Sequence, residues 1–286
     1  MLIRWAFAAA VALAPLGAAA GAAAGAEVPR RVVSINLCTD QLAMALAAPG
    51  QLLSVSALAH DPRTSLMAEQ AGDFPANHGR AEEIYLMRPD LVLASTFTTP
   101  ATLSMLRRLN VPVVTFEPEV SLDGITASIL QMGDALGRAD QAAAMARDFR
   151  RDLAALRRAA GDDAPVAATW AANGYMTGTR TLSSDVLRAA GFSLLAERLG
   201  LEVGAMIPLE LLLMADPDAV VVGPSGSAPA RADDVVHHPA LARSGAERIE
   251  VDDREWICGL PAVLDLAREL GSTRARLSGQ TGEPSR

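Results

Sequence analysis

Two cysteines, Cys38 and Cys258, stand near opposite ends of a 286-residue chain that holds only four histidines. Several chemistries fit such a pair. The two could close a disulfide, which an oxidising compartment permits. They could remain thiols and hold a soft metal ion with His60 or His78, because thiolate and imidazole suit such ions. They could be small buried residues without chemistry. A thiol activated by His60 or His78 could also act as the nucleophile of a hydrolase. One pair does not make a disulfide-rich scaffold, and the sequence leaves these readings open.

Other chemistries are easier to exclude. No phosphate-binding loop or dinucleotide fingerprint occurs. The run Gly223-Pro224-Ser225-Gly226-Ser227 lacks the spacing of a nucleophile elbow. The net charge is −8 and every basic side chain is arginine. Nucleic acid, which rewards clustered positive charge, is therefore not an expected partner. Half of the residues are hydrophobic, enough for a packed core.

The elements that must position these residues alternate in type. Val32–Ile35, Leu53–Val55, Leu91–Ala94 and Pro112–Thr115 read as strands, interleaved with helices at Asp40–Ala47, Thr102–Leu109 and Leu122–Leu136. Gly137 ends the last of these. From Arg138 to Ala160 there is no Gly or Pro, and Ala142, Met145, Ala146, Phe149, Leu153 and Leu156 recur at spacings of three and four. That pattern predicts one long amphipathic helix. A second alternation follows, with strands at Val166–Thr169, Ala219–Val222 and Arg248–Val251. Helices are predicted at Ser184–Ala190, Leu209–Ala215 and Pro261–Arg276. The expected class is α/β with mostly parallel sheets. The expected division is an N-terminal lobe over 27–137, an interlobe helix over 138–160 and a C-terminal lobe over 161–286.

The halves echo each other. Glu82 to Leu93 and Glu210 to Val221 both read as Glu, two helical turns, Pro-Asp and a buried strand, in one register. Each proline stops its helix. Each glutamate falls in a first turn, where a carboxylate suits the helix dipole. The pair could be two caps and nothing more, or two acidic knobs that dock on a two-fold symmetric partner carrying arginines.

The chain opens with Met1-Leu2-Ile3-Arg4, then an apolar run whose tail, Ala24-Gly25-Ala26, fits a small-residue cleavage site. We read residues 1–26 as a signal peptide cleaved near Ala26, with Pro15 and Gly17 interrupting the run against a spanning role. The expected location is the periplasm.

On Arg31-Val32-Val33-Ser34, Glu82 to Leu93, the long central helix, Thr177-Gly178-Thr179 and Glu210 to Val222, the chain resembles the periplasmic binding proteins for vitamin B12, ferric siderophores and haem that serve ABC importers. The resemblance runs from about Arg30 to Leu277. It implies two Rossmann-like lobes joined by one long rigid helix, with a ligand cleft between them. It implies a solute-binding protein and not an enzyme, with no intrinsic cofactor and a cobalt or iron complex as ligand: cobalamin or cobinamide, a ferric siderophore, or haem. It also implies that Glu82 and Glu210 dock on the importer's permease, and that the protein works as a monomer.

Ligands of open α/β sheets bind beyond the carboxyl ends of strands. That rule selects Asn36, Cys38 and Thr39 after the first strand, His60 and Asp61 after the second, and His78 and Arg80 before the Glu82 helix. It adds Phe97 after the Leu91 strand, Trp170 and Tyr175 in the second lobe, and Trp256 and Cys258 before the last helix. The tryptophans suit a large flat ligand, and His60 or His78 suits an axial position on cobalt or iron. The competing readings are a binder of a free transition-metal ion through Cys and His, and a cysteine-dependent hydrolase.

Overall fold

The computed structural model describes residues 27–159, 164–224 and 231–281. The expected signal peptide lies outside them, as do Ala160 at the end of the predicted interlobe helix and the Ser225-Gly226-Ser227 part of the rejected elbow motif.

The first half is built from β1 (Val32–Ser34), α1 (Leu37–Leu46), β2 (Leu52–Ser56), α2 (Ala68–Ala71), β3 (Ala76–Asn77), α3 (Ala81–Leu86), β4 (Leu91–Ser95), α4 (Pro100–Arg108) and β5 (Val113–Phe116). All its strand pairs are parallel, in the order β3-β2-β1-β4-β5. β1 and β4 are buried throughout, which is why both read as unbroken apolar runs and not as alternations. α1 starts at Leu37, before the predicted Asp40, because the Asn36 side chain accepts the Cys38 N–H and caps the helix.

Two helices then carry the chain across. α5 (Leu122–Leu136) is capped by Ser121 and ends at Gly137, whose φ of 66° is open to glycine at little cost. α6 (Ala139–Ala159) follows at once as the predicted long helix. Ala142, Ala146, Phe149 and Leu153 are buried at helical spacing. Each fully buried side chain of Phe or Leu size contributes roughly 1.5–3 kcal/mol, so this one face anchors the helix.

The second half contains β6 (Val166–Thr169), β7 (Tyr175–Met176), α7 (Leu182–Ala189), β8 (Ser193–Leu194), α8 (Leu195–Arg198), β9 (Ala205–Met206), α9 (Leu209–Met214), β10 (Ala219–Val222), α10 (Pro239–Ala242), β11 (Glu247–Glu250) and α11 (Val263–Thr281). Its main sheet is parallel, in the order β11-β10-β6-β8, and β7 and β9 form a separate antiparallel pair. The architecture is the predicted one: two parallel α/β sheets with a long helix between them. The lobes also touch beside that helix. The Leu122 N–H donates to Asp185 Oδ2 at 2.8 Å, and Arg157 pairs with Asp123 at 3.1 Å and reaches Asp185 at 3.9 Å.

The internal echo is a repeat in three dimensions. Glu82 and Glu210 are each the second residue of a six-residue helix, α3 or α9, and both are exposed. Six residues on, Arg88 (φ 49°) and Asp216 (φ 45°) both take the left-handed conformation before proline. Each Pro-Asp then serves the neighbouring strand. Asp90 accepts the Arg30 and Arg31 N–H groups ahead of β1, at 2.7 and 2.9 Å. Asp218 accepts the Val166 N–H that opens β6, at 2.7 Å.

Candidate functional site

In the first sheet, strand order reverses between β1 and β4, since β2 lies to one side and β4 to the other. Crevices form beyond the carboxyl ends of strands at such a switch point. A cavity of about 280 Å³ opens there. The first half supplies Asn36, Cys38 and Thr39 after β1, Ser95 and Phe97 at the end of β4, and Glu117-Pro118-Glu119 after β5. The second half supplies Ile257 and Gly259. Next to it lies a second space of about 390 Å³, lined by Val120, Thr177, Arg180, Asp253 and Trp256 among others. Glu119 and Ile257 border both. The interlobe cleft is thus two compartments divided by one residue from each lobe.

A disulfide seals the seam. Cys38 in the first turn of α1 is bonded to Cys258, 220 residues later, with a Cα–Cα distance of 5.1 Å. The residues flanking both cysteines form the cavity wall. This pairing corrects the thiol readings: neither cysteine is free, so the bonded protein offers no thiolate for a soft metal and no nucleophile. Among the described residues no group of three His, Cys, Asp or Glu side chains could hold a metal ion.

Two further contacts span the same gap. Arg254 Nη1 donates to the Pro62 carbonyl at 2.8 Å. Glu119 packs against Gly259, where a Cβ would lie 2.6 Å from Glu119 Cγ, so a side chain there would force Glu119 to shift. Apolar surface gathers around the mouth: Phe97 is 81% exposed, Val120 59% and Ile257 56%. Exposed apolar groups gathered at one concave site are the usual mark of a binding surface.

The polar groups are held locally. Asn36 caps α1, and the Thr39 hydroxyl bonds with Ser34 Oγ at 2.8 Å and to the Asn36 carbonyl at 3.0 Å. Thr96 Oγ1 donates to Glu117 at 3.1 Å. Trp256 donates from Nε1 to Asp253 at 3.3 Å. On the buried face of α1, Asp40 accepts from the Ser56 N–H and hydroxyl. Its burial pushes the carboxyl up to about 6, against the opposing pull of hydrogen bonds from Ser34 and Ser56.

Of the residues selected by the strand-end rule, Asn36, Cys38, Thr39 and Phe97 line the first compartment and Trp256 lines the second. Cys258 joins them through the disulfide, itself buried. The others line neither compartment. Trp170 is 1% exposed and packs in the core of the second lobe, with Nε1 directed to the Val235 carbonyl. The Tyr175 ring lies over Gly204 on the β7–β9 pair. His60 closes a 3-10 turn over Ala57–His60. Asp61 is engaged by Arg63, whose hydrogen-bonded guanidinium holds the carboxyl down at about 2. His78 contacts Glu83 at 3.3 Å on the surface, and Arg80 is exposed ahead of α3. Sequence reasoning passed over Glu117, Glu119, Ile257 and Arg180. The same rule, applied after β5, selects the first two.

The chain matches the family model described as periplasmic binding protein over residues 32–248. It is 27% identical over 202 residues to the cobalamin-binding protein of Halobacterium salinarum, a match covering 69% of this chain and 54%, about half, of that relative. It is 27% identical over 207 residues to the vitamin B12-binding protein of Pectobacterium carotovorum, covering 69% of this chain and 72% of the other. In fold it is similar to the apo form of RhuT, a periplasmic heme-binding protein from Roseiflexus sp. RS-1. That likeness has a TM-score of 0.74 at 23% identity, and covers 87% of this chain and 99% of the other.

Proposed function

Because the chain belongs to the periplasmic binding protein family, we propose that it is the solute-binding component of an ABC importer, capturing a metal-containing organic complex and handing it to the membrane permease. The ligand is a corrinoid, a haem or a ferric siderophore, cargo and not a resident cofactor. The observation that carries this reading is the interlobe cavity at the β1/β4 switch point, apolar at its mouth and walled by both lobes. Its two compartments together suit a ligand larger than a bare ion. Relatives whose names say that they bind cobalamin or vitamin B12 support the ligand class.

The finer parts of the reading follow. Residues 1–26 direct export to the periplasm and are cleaved near Ala26. The lobes divide at 137 and 161, and the protein acts as a monomer. Asn36, Cys38, Thr39, Phe97 and Trp256 touch the ligand. Glu82 and Glu210, exposed at matching positions of the repeat, dock on the permease through arginines; such exposed pairs are individually weak and together set orientation. No catalytic role is assigned. The test is calorimetry of purified protein with cobinamide, haemin and ferrioxamine B, against zinc and manganese salts. The reading expects micromolar or tighter binding of at least one organic complex. Binding of the salts alone would overturn it.

A further inference from the structure

We propose that Glu117 and Glu119 select the ligand by charge, so that the interlobe cavity admits complexes that are cationic or edged with N–H donors and rejects those edged with carboxylates. This rests on the reading of the cavity as a metal-complex site and narrows what that complex is.

Glu117 and Glu119 line a cavity whose other walls are largely apolar, among them Leu37, Leu42, Phe116 and Ile257. Neither glutamate has an ion-pair partner among the described residues. Glu117 keeps one hydrogen bond, from Thr96. Arg180 is the cation lining either compartment; it lies in the second and sits 3.8 Å from Glu202. No basic side chain lines the first. Asp253 adds another acid to the second compartment.

The backbone that carries both glutamates is restrained. They follow β5 directly and flank Pro118, whose ring restricts the backbone between them. Glu119 lies against Gly259 of the opposite lobe, where the absence of a Cβ leaves it room in this position.

A ligand that fills this cavity displaces the water around both carboxylates. That desolvation is recovered only if the ligand brings hydrogen-bond donors or positive charge to the same place. A carboxylate edge would add like-charge repulsion, screened less once the ligand has displaced that water. A ring or chelate edged with amides, or carrying an ammonium group, satisfies both glutamates while its apolar faces meet Phe97 and Ile257.

Matched probes test this. Cobinamide and cobyrinic acid share a corrin ring and differ in amide against carboxylate edges. Ferrioxamine B and its N-succinyl derivative share a ferric trihydroxamate and differ in a terminal cation against an anion. Haemin carries two carboxylates. Calorimetry is run with the wild type and with the E117Q/E119Q double variant, whose fold is checked by circular dichroism. In whichever pair binds, the amide or cationic member is expected to bind at least tenfold tighter, with the gap shrinking at least tenfold in the double variant. E119Q alone should give an intermediate gap. Tighter binding of haemin or of either carboxylate member, or an unchanged gap in a folded double variant, would overturn the selectivity alone. Binding of no probe by the wild type would overturn the metal-complex reading, and the selectivity with it.

Discussion

Cys38 and Cys258 join the two lobes by a covalent bond at the wall of the interlobe cavity. The lobes are therefore linked by that bond and by the Arg254 to Pro62 hydrogen bond as well as by α6. Under the proposed function, lobes linked in this way should move little on ligand binding. The native protein should show no reactive thiol in denaturant alone and two after reduction. Equal counts in both conditions would contradict the pairing. Replacing both cysteines by serine should lower unfolding stability by about 2–5 kcal/mol, the usual cost of losing a disulfide.

Asp40 predicts a pH dependence. Its carboxyl titrates near 6 in the folded protein, above the ordinary value of 3.8, because burial disfavours the charge. A raised acid favours the protonated folded state, so this stabilisation is complete below about 3.8 and is lost as pH climbs through 6. Two pH units correspond to about 3 kcal/mol. Melting temperatures between pH 4 and 7 should fall more steeply for the wild type than for D40N. Parallel curves would contradict the assignment.

The paired Pro-Asp segments predict a graded loss. Asp218 holds one backbone N–H and Asp90 holds two. D218A should cost about 1 kcal/mol and D90A about 2, at the modest net value of a surface hydrogen bond. Urea unfolding measures both, and an equal or reversed order would contradict the repeat's structural role.

Docking predicts a separation of functions. Reversing charge at both Glu82 and Glu210 should impair uptake in cells while ligand affinity in solution stays within twofold. Both side chains are exposed and lie outside both compartments of the cleft. Unchanged uptake would contradict the docking assignment.

Much of this was legible from residue order. The unbroken apolar runs of β1 and β4 and the three-and-four spacing of α6 each map onto one element, and the Glu-to-Pro-Asp echo maps onto a helix and the strand after it in each half. Two-residue strands such as β3, β7 and β9 carry too few residues for any period to register. The cleft was legible where strand ends deliver residues directly, as at Asn36 and Phe97. It was not where a side chain turns into its own lobe: Trp170 follows a strand end yet packs inward, because so large an apolar surface gains more from a core than from a rim. Gly259 could not be read at all, since its importance lies in what Glu119, 140 positions earlier, requires of it.

The most direct measurement is a crystal structure of the complex with the ligand that calorimetry selects. The account predicts that ligand between Phe97 and Ile257, touching both lobes beside the Cys38–Cys258 bond, with its edge at Glu117 and Glu119. A ligand bound to one lobe alone, or outside the cleft, would contradict it.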